Sequence, residues 1–102
     1  MITNQKLTVN HVVVQAEGNI VSDMDGEKVM LNISRGKYYN LGEVGGRIWD
    51  GISAPISIRN LVPILMAEYN VEQSKCEDHV LSFLEQLLEE QLIYIEEEGM
   101  RQ

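Results

Sequence analysis

Residues 28–34, KVMLNIS, alternate strictly, with Val29, Leu31 and Ile33 set against Lys28, Met30, Asn32 and Ser34. A period of two marks a strand with one buried face, and the apolar set Val29, Leu31 and Ile33 points to that face. IVSDM (20–24) precedes it, separated by Asp25-Gly26. That dipeptide suits a type I′ hairpin turn, whose two central residues both need positive φ. Arg35-Gly36 makes a second turn, and KYYNL (37–41) completes a three-stranded meander. Along it Tyr38 and Asn40 face one way and Lys37, Tyr39 and Leu41 the other. Upstream, VVVQA (12–16) is apolar and β-branched and reads as a further strand, broken by Glu17, Gly18 and Asn19.

After Gly42 the period changes to that of helices. Val44, Ile48 and Ile52 recur at i, i+4 and i+8 beside Trp49, predicting a helix over 43–52. Gly45 and Gly46 in its first turn weaken it but allow close approach to the sheet. Ser57 is a good N-cap for a helix over 57–69 with Ile58, Leu61 and Leu65 inward and Met66 or Ile64 beside them. Pro63 inside it should kink the helix or shift its start. A last helix from about 74 to 91 opens at Ser74, with Glu77 three residues on as a capping box. The apolar LIYI (92–95) and an acidic tail follow. The whole is an α+β arrangement of meander and three helices. Residues 1–11 read as a flexible N-terminus, 12–95 as one domain and 96–102 as an acidic tail.

The last helix has more apolar surface than a core stripe requires. Cys76, Val80, Phe83 and Leu87 form an ordinary stripe, but Leu81, Leu84 and Leu88 widen it to about 160° at 100° per residue. That shoulder, bordered by Glu77 and Glu85, either packs under another element or forms the wall of an open groove. KYYNL is the natural second wall. As the last strand of a meander it is an edge, able to pair with an extended peptide. One tyrosine would then line the groove and the other pack inward; periodicity does not choose between them.

Composition narrows the functions. The chain has 102 residues and a net charge of −8, which argues against nucleic acid, where Lys and Arg supply most of the affinity. There is one cysteine, Cys76, so no internal disulfide forms, in keeping with a reducing cytoplasm. The start, MITNQKLTVN, lacks the apolar core of a signal peptide, and no apolar run is long enough to span a membrane. No catalytic constellation emerges. Cys76 and His79 lie three apart beside Asp78, but zinc needs about four ligands, and Cys76 sits in the middle of the apolar stripe. "GEVGG" lacks the spacing of a phosphate loop. The expectation is a protein without catalysis, metal or cofactor.

Taken in order, several short motifs resemble a known family: Leu31, the Arg-Gly turn, Tyr-Tyr-x-Leu (38–41), "GGRIWDGI", Pro55-x-Ser57, a tyrosine and "NV" (69–71) and "DHVLSFLEQLLEEQLI" (78–93). The pattern is similar to PqqD-like proteins, which recognise leader peptides in the pathways of ribosomally made, post-translationally modified peptides. Small stand-alone members from lasso-peptide clusters are the nearest in pattern. The resemblance implies a winged-helix-like fold and a precursor leader bound as an added antiparallel strand. The implied contacts are Lys37, Tyr38, Tyr39, Asn40 and Leu41 on the strand. On the helix side they are Val80, Leu81, Leu84, Glu85 and Leu88, with Asp78 as a polar contact. It also implies delivery to a transglutaminase-like leader peptidase and then to a cyclase. The family's Leu-Asn before the first helix is here Leu41-Gly42, so an Asn contact or cap is missing. Two other readings use the same elements. A winged-helix DNA-binding regulator would need a basic helix, and 57–69 offers Arg59 while the last helix offers Lys75. A small non-catalytic subunit of an enzyme complex would use the groove for a protein contact.

Overall fold

The computed structural model describes residues 7–96. Six strands and three helices follow in the order β1 (Val12–Gln15), β2 (Asn19–Met24), β3 (Glu27–Asn32), β4 (Lys37–Leu41), α1 (Gly42–Gly51), β5 (Ile56–Ser57), α2 (Ile58–Tyr69), α3 (Gln73–Glu89) and β6 (Ile93–Glu96). The meander and the three helices are as expected. Asp25 (φ 57°) and Gly26 (φ 87°) both take the left-handed conformation in the turn that joins β2 to β3. The β3–β4 turn is organised by buried Asn32. Its Oδ1 accepts from the Arg35 N–H at 3.0 Å, and its Nδ2 donates to Asn19 Oδ1 at 2.7 Å.

A second sheet joins the two ends of the described chain. β1 lies between β5 and β6, antiparallel to both, with Val13 opposite Ile56 on one side and Ile95 on the other. The apolar LIYI segment is thus mostly a strand. It is reached by a helix stop in which Gln91 adopts φ 63° and the Leu92 and Gln91 N–H groups donate back to the Leu87 and Leu88 carbonyls. This double bond across a left-handed residue satisfies carbonyls that the helix end leaves open.

The buried face of β3 is the reverse of the one the apolar set suggested. Met30 and Asn32 are buried, whereas Ile33 is exposed and Val29 and Leu31 are half-buried. Helix α1 decides this. It packs on the Lys28/Met30 side, where Gly46 meets the Lys28 stem. Lys28 tolerates the position because its stem lies against α1 while Nζ reaches Asp23 and Asp50 at 3.5 and 3.6 Å. A Cβ on Gly46 would come within 2.8 Å of Lys28 Cβ. Gly46→Val is therefore expected to lower stability by about 2 kcal/mol through overpacking. A urea midpoint equal to that of the parent would refute this close approach.

Helix α2 starts at Ile58, and Ser57 Oγ accepts from the Asn60 N–H at 3.2 Å, so Pro63 does not shift the start. Helix α3 starts one residue before Ser74. Its N-cap, Glu72, makes no side-chain cap bond, so the capping box does not form. Residues 7–11, expected to be loosely held, are tied down: Leu7 is buried, and the Val9 and His11 carbonyls accept from Arg59 and Ile58. The rest of the expected N-terminal segment and residues 97–102 of the tail lie outside the described residues.

Candidate functional site

Strand β4 pairs with β3 on one side and has no strand on the other among the described residues. Its alternation is as the period of two required. Tyr39 and Leu41 are half-buried, while Tyr38 and Asn40 are exposed on the opposite face. The two tyrosines are therefore distinct. Tyr39 sits opposite Met30, and its OH donates to Glu90 Oε1 at 2.9 Å, reaching across to the C-terminal end of α3. Tyr38 is 72% exposed.

Helix α3 runs alongside β4 in the opposite direction. At one end, Gly45 lies between the Phe83 ring and Leu41. At the other, Lys37 Nζ and Arg35 Nη1 approach Glu90 at 3.7 and 3.6 Å, and Arg35 Nη2 donates to Gln91 at 3.1 Å. Seven residues of helix rise roughly 10 Å and four of strand roughly 13 Å, so side chains at the two ends of β4 reach matching ends of this stretch of α3. Along α3 runs an open groove of about 560 Å³ lined by Lys75, Asp78, His79, Ser82, Phe83 and Gln86, all of them residues of α3 itself. It shares Lys75 and His79 with a more apolar cavity of about 280 Å³, walled by Val44 and Ile48 of α1 and Leu65 and Tyr69 of α2.

The residues expected on the helix wall divide. Asp78 lines the groove. Val80 and Leu84 are buried in the core, Leu84 at 0% exposure, and Val80 also lines the apolar cavity between α1, α2 and α3. Leu81 and Leu88 are half-buried against that core. Glu85, between them at helical spacing, accepts from the Leu7 N–H at 3.0 Å. The leucine shoulder thus faces the N-terminal segment and the core, which is the packing alternative left open by its width. Hydrophobicity missed His79, Ser82, Gln86 and Glu90 because they are polar, and it put Phe83 in the core stripe. The available signal was their own spacing of three and four.

The strand-to-helix corner has Gly42 where the resemblance implies an Asn, and it is closed. Gly42 takes φ 76°, and its N–H donates to Asn40 Oδ1 at 2.9 Å. No group of three His, Cys, Asp or Glu side chains among the described residues is placed to hold a metal. Burial, and secondarily the Glu77 charge, raise the Cys76 thiol above its ordinary pKa, and Sγ lies 3.9 Å from the Val62 carbonyl. A thiol held protonated is a poor nucleophile. Iodoacetamide at neutral pH is expected to label Cys76 only in denaturant, and rapid labelling of the folded chain would contradict its burial.

The family model of PqqD, coenzyme PQQ synthesis protein D, matches residues 27–93. The chain belongs to the PqqD family. The match takes in β3, β4, all three helices and the first residue of β6, and so the whole groove. Among solved structures, TbiB1 in complex with the TbiA(beta) leader peptide is similar to this PqqD-family chain, with a TM-score of 0.71 and 27% identity. The likeness covers 87% of this chain and 99% of that one. No curated protein matches the chain. Family membership bears out the resemblance carried by the ordered motifs around KYYNL and α3. No helix among the described residues is long and apolar enough to cross a membrane.

Proposed function

We propose that this chain binds the leader region of a ribosomally made precursor peptide as an antiparallel strand on β4 and presents it to separate processing enzymes. The observation that carries this is the β4 edge, which has no strand partner among the described residues, together with an open groove along α3, in a chain similar over 87% of its length to a leader-peptide complex. Backbone pairing along Lys37–Leu41 would supply affinity, and alternate leader side chains would enter between Tyr39 and Leu41 on one wall and Ser82, Phe83 and Gln86 on the other. His79 and Asp78 would contact the part of the leader beside the N-terminal half of α3. The helices would then stand in a winged-helix-like arrangement with the meander as wing. The pathway we favour is that of a lasso peptide in the cytoplasm, with delivery to the leader peptidase and then to the cyclase, and with no catalysis by this chain.

Ordering a leader costs about 2–5 kcal/mol, which backbone pairing and two or three anchors must exceed. Binding on the order of −8 kcal/mol, in the micromolar range or tighter, is expected. The test is titration of the full chain, ¹⁵N-labelled, with the leader encoded beside its gene. Saturable shifts and slowed amide exchange in 37–41 support strand addition. Binding that leaves those amides unchanged would sink it.

A further inference from the structure

We propose that Arg35 and Lys37 form a carboxylate-reading subsite at the Glu90 end of the groove, so that the leader carries an acidic side chain in the C-terminal half of its bound segment. The inference rests on the leader-binding reading and adds to it the chemistry of the ligand at one position. Three donors converge on the Glu90 carboxylate, but they do not share it equally. The Tyr39 hydroxyl makes a full hydrogen bond at 2.9 Å, while Arg35 and Lys37 stand off at 3.6 and 3.7 Å. Those two distances lie outside the usual hydrogen-bond range of about 2.7–3.2 Å. Two cations therefore face one carboxylate that already has its close partner. Arg35 directs one N–H at Gln91, and its guanidinium has others to offer. Both side chains are open to solvent, at 37% and 56% exposure, so a ligand reaches them without rearrangement of the core.

Position fixes which part of the leader this pair would read. Lys37 opens β4, and Arg35 lies in the turn before it. A strand added antiparallel to β4 runs from the Leu41 end toward Lys37, so its later residues arrive at the two cations. The opposite end offers Leu41 and Phe83, with the cavity walled by Val44, Ile48 and Leu65 beyond them. The entry end thus combines Phe83 and the apolar cavity with Lys75, Asp78 and His79, and the exit end places two cations beside Glu90. The whole chain carries −8, so its general field does not draw acidic peptides; a preference for acid has to be local to this pair. A guanidinium also matches a carboxylate in two-point geometry, which favours Asp or Glu over a neutral polar side chain.

The probe is a phage-displayed library of random 20-residue peptides, selected on the full chain and on the Arg35→Glu/Lys37→Glu variant. The parent is expected to enrich Asp or Glu in the C-terminal half of the segment that protects β4 amides, and the variant to enrich Lys or Arg there. An acidic peptide selected on the parent is expected to lose about tenfold in affinity for the double variant. It is expected to bind Glu90→Gln severalfold more tightly, since the competing charge is gone while an acceptor for Tyr39 remains. If the double variant fails to fold by circular dichroism, Lys37→Gln replaces it, with an expected loss of about threefold. Selected peptides that protect β4 without charge bias, or with a bias the variants leave unchanged, overturn the subsite alone. If no selected peptide protects β4, the leader-binding reading itself fails.

Discussion

Leu84→Asp is expected to abolish the folded state rather than leave a folded protein that no longer binds peptide. Leu84 has 0% exposure and belongs to the cluster that includes Ile48, Leu61, Leu65 and Val80. Truncating such a leucine alone costs about 2–5 kcal/mol. A carboxyl group in its place finds no polar partner and adds several kcal/mol more, whether it remains charged or takes up a proton. The sum is comparable to the roughly 5–15 kcal/mol that holds a domain of this size together. The expected readout is loss of the cooperative urea transition and of the near-ultraviolet signal of buried Trp49. A transition within about 1 kcal/mol of the parent would mean that Leu84 lines an open groove after all. Leu88→Asp, at a half-buried position, is expected to be milder, and its cost should fall on stability rather than on peptide affinity.

Leu84 also shows where a helical wheel runs out of information. The wheel counts apolar positions on α3 correctly but does not say what covers each of them. The N-terminal segment, whose Leu7 is buried and bonded to Glu85, takes up one shoulder. A polar decapeptide gives little sign of docking. The β3 phase is a similar case. Three apolar residues outvote Met30 on hydrophobicity alone, yet the helix settles on the face where a glycine meets a lysine stem, because the stem can lie flat while its charge stays wet. The outer face keeps the rejected residues. Ile20, Leu31 and Tyr38 stand in register across three strands, and Ile20, Ile33 and Tyr38 are exposed. By contrast, the Asp25-Gly26 turn, the β4 edge and the order of the helices were legible because each rests on short-range sterics or period. The second sheet was not, since β5 has two residues and its pairing with β1 spans more than forty positions.

Ser82→Trp is expected to reduce leader affinity at least thirtyfold while leaving stability within about 0.5 kcal/mol of the parent. Ser82 is exposed and lines the open groove between Asp78 and Gln86. An indole there meets no core side chain, so the folded state has little to lose. It does occupy the space that leader side chains need if the strand pairs with β4, and it forces either an imperfect backbone ladder or the expulsion of an anchor. Losing one buried anchor costs about 2 kcal/mol or more, which is the thirtyfold change. The control is Glu85→Trp, about 60° further around α3, where the carboxylate accepts from the Leu7 N–H and the position does not line the groove. It is expected to cost stability and to leave the affinity of the remaining folded chain near that of the parent. Anisotropy titrations with a labelled leader, paired with urea melts of each variant, separate the two effects. If Ser82→Trp binds as well as the parent and Glu85→Trp does not, the peptide lies against the N-terminal side of α3, and β4 is not its partner. The two substitutions sit three residues apart on one helix, about 60° around its axis, so their contrast assigns the binding face at the resolution of a single helical turn.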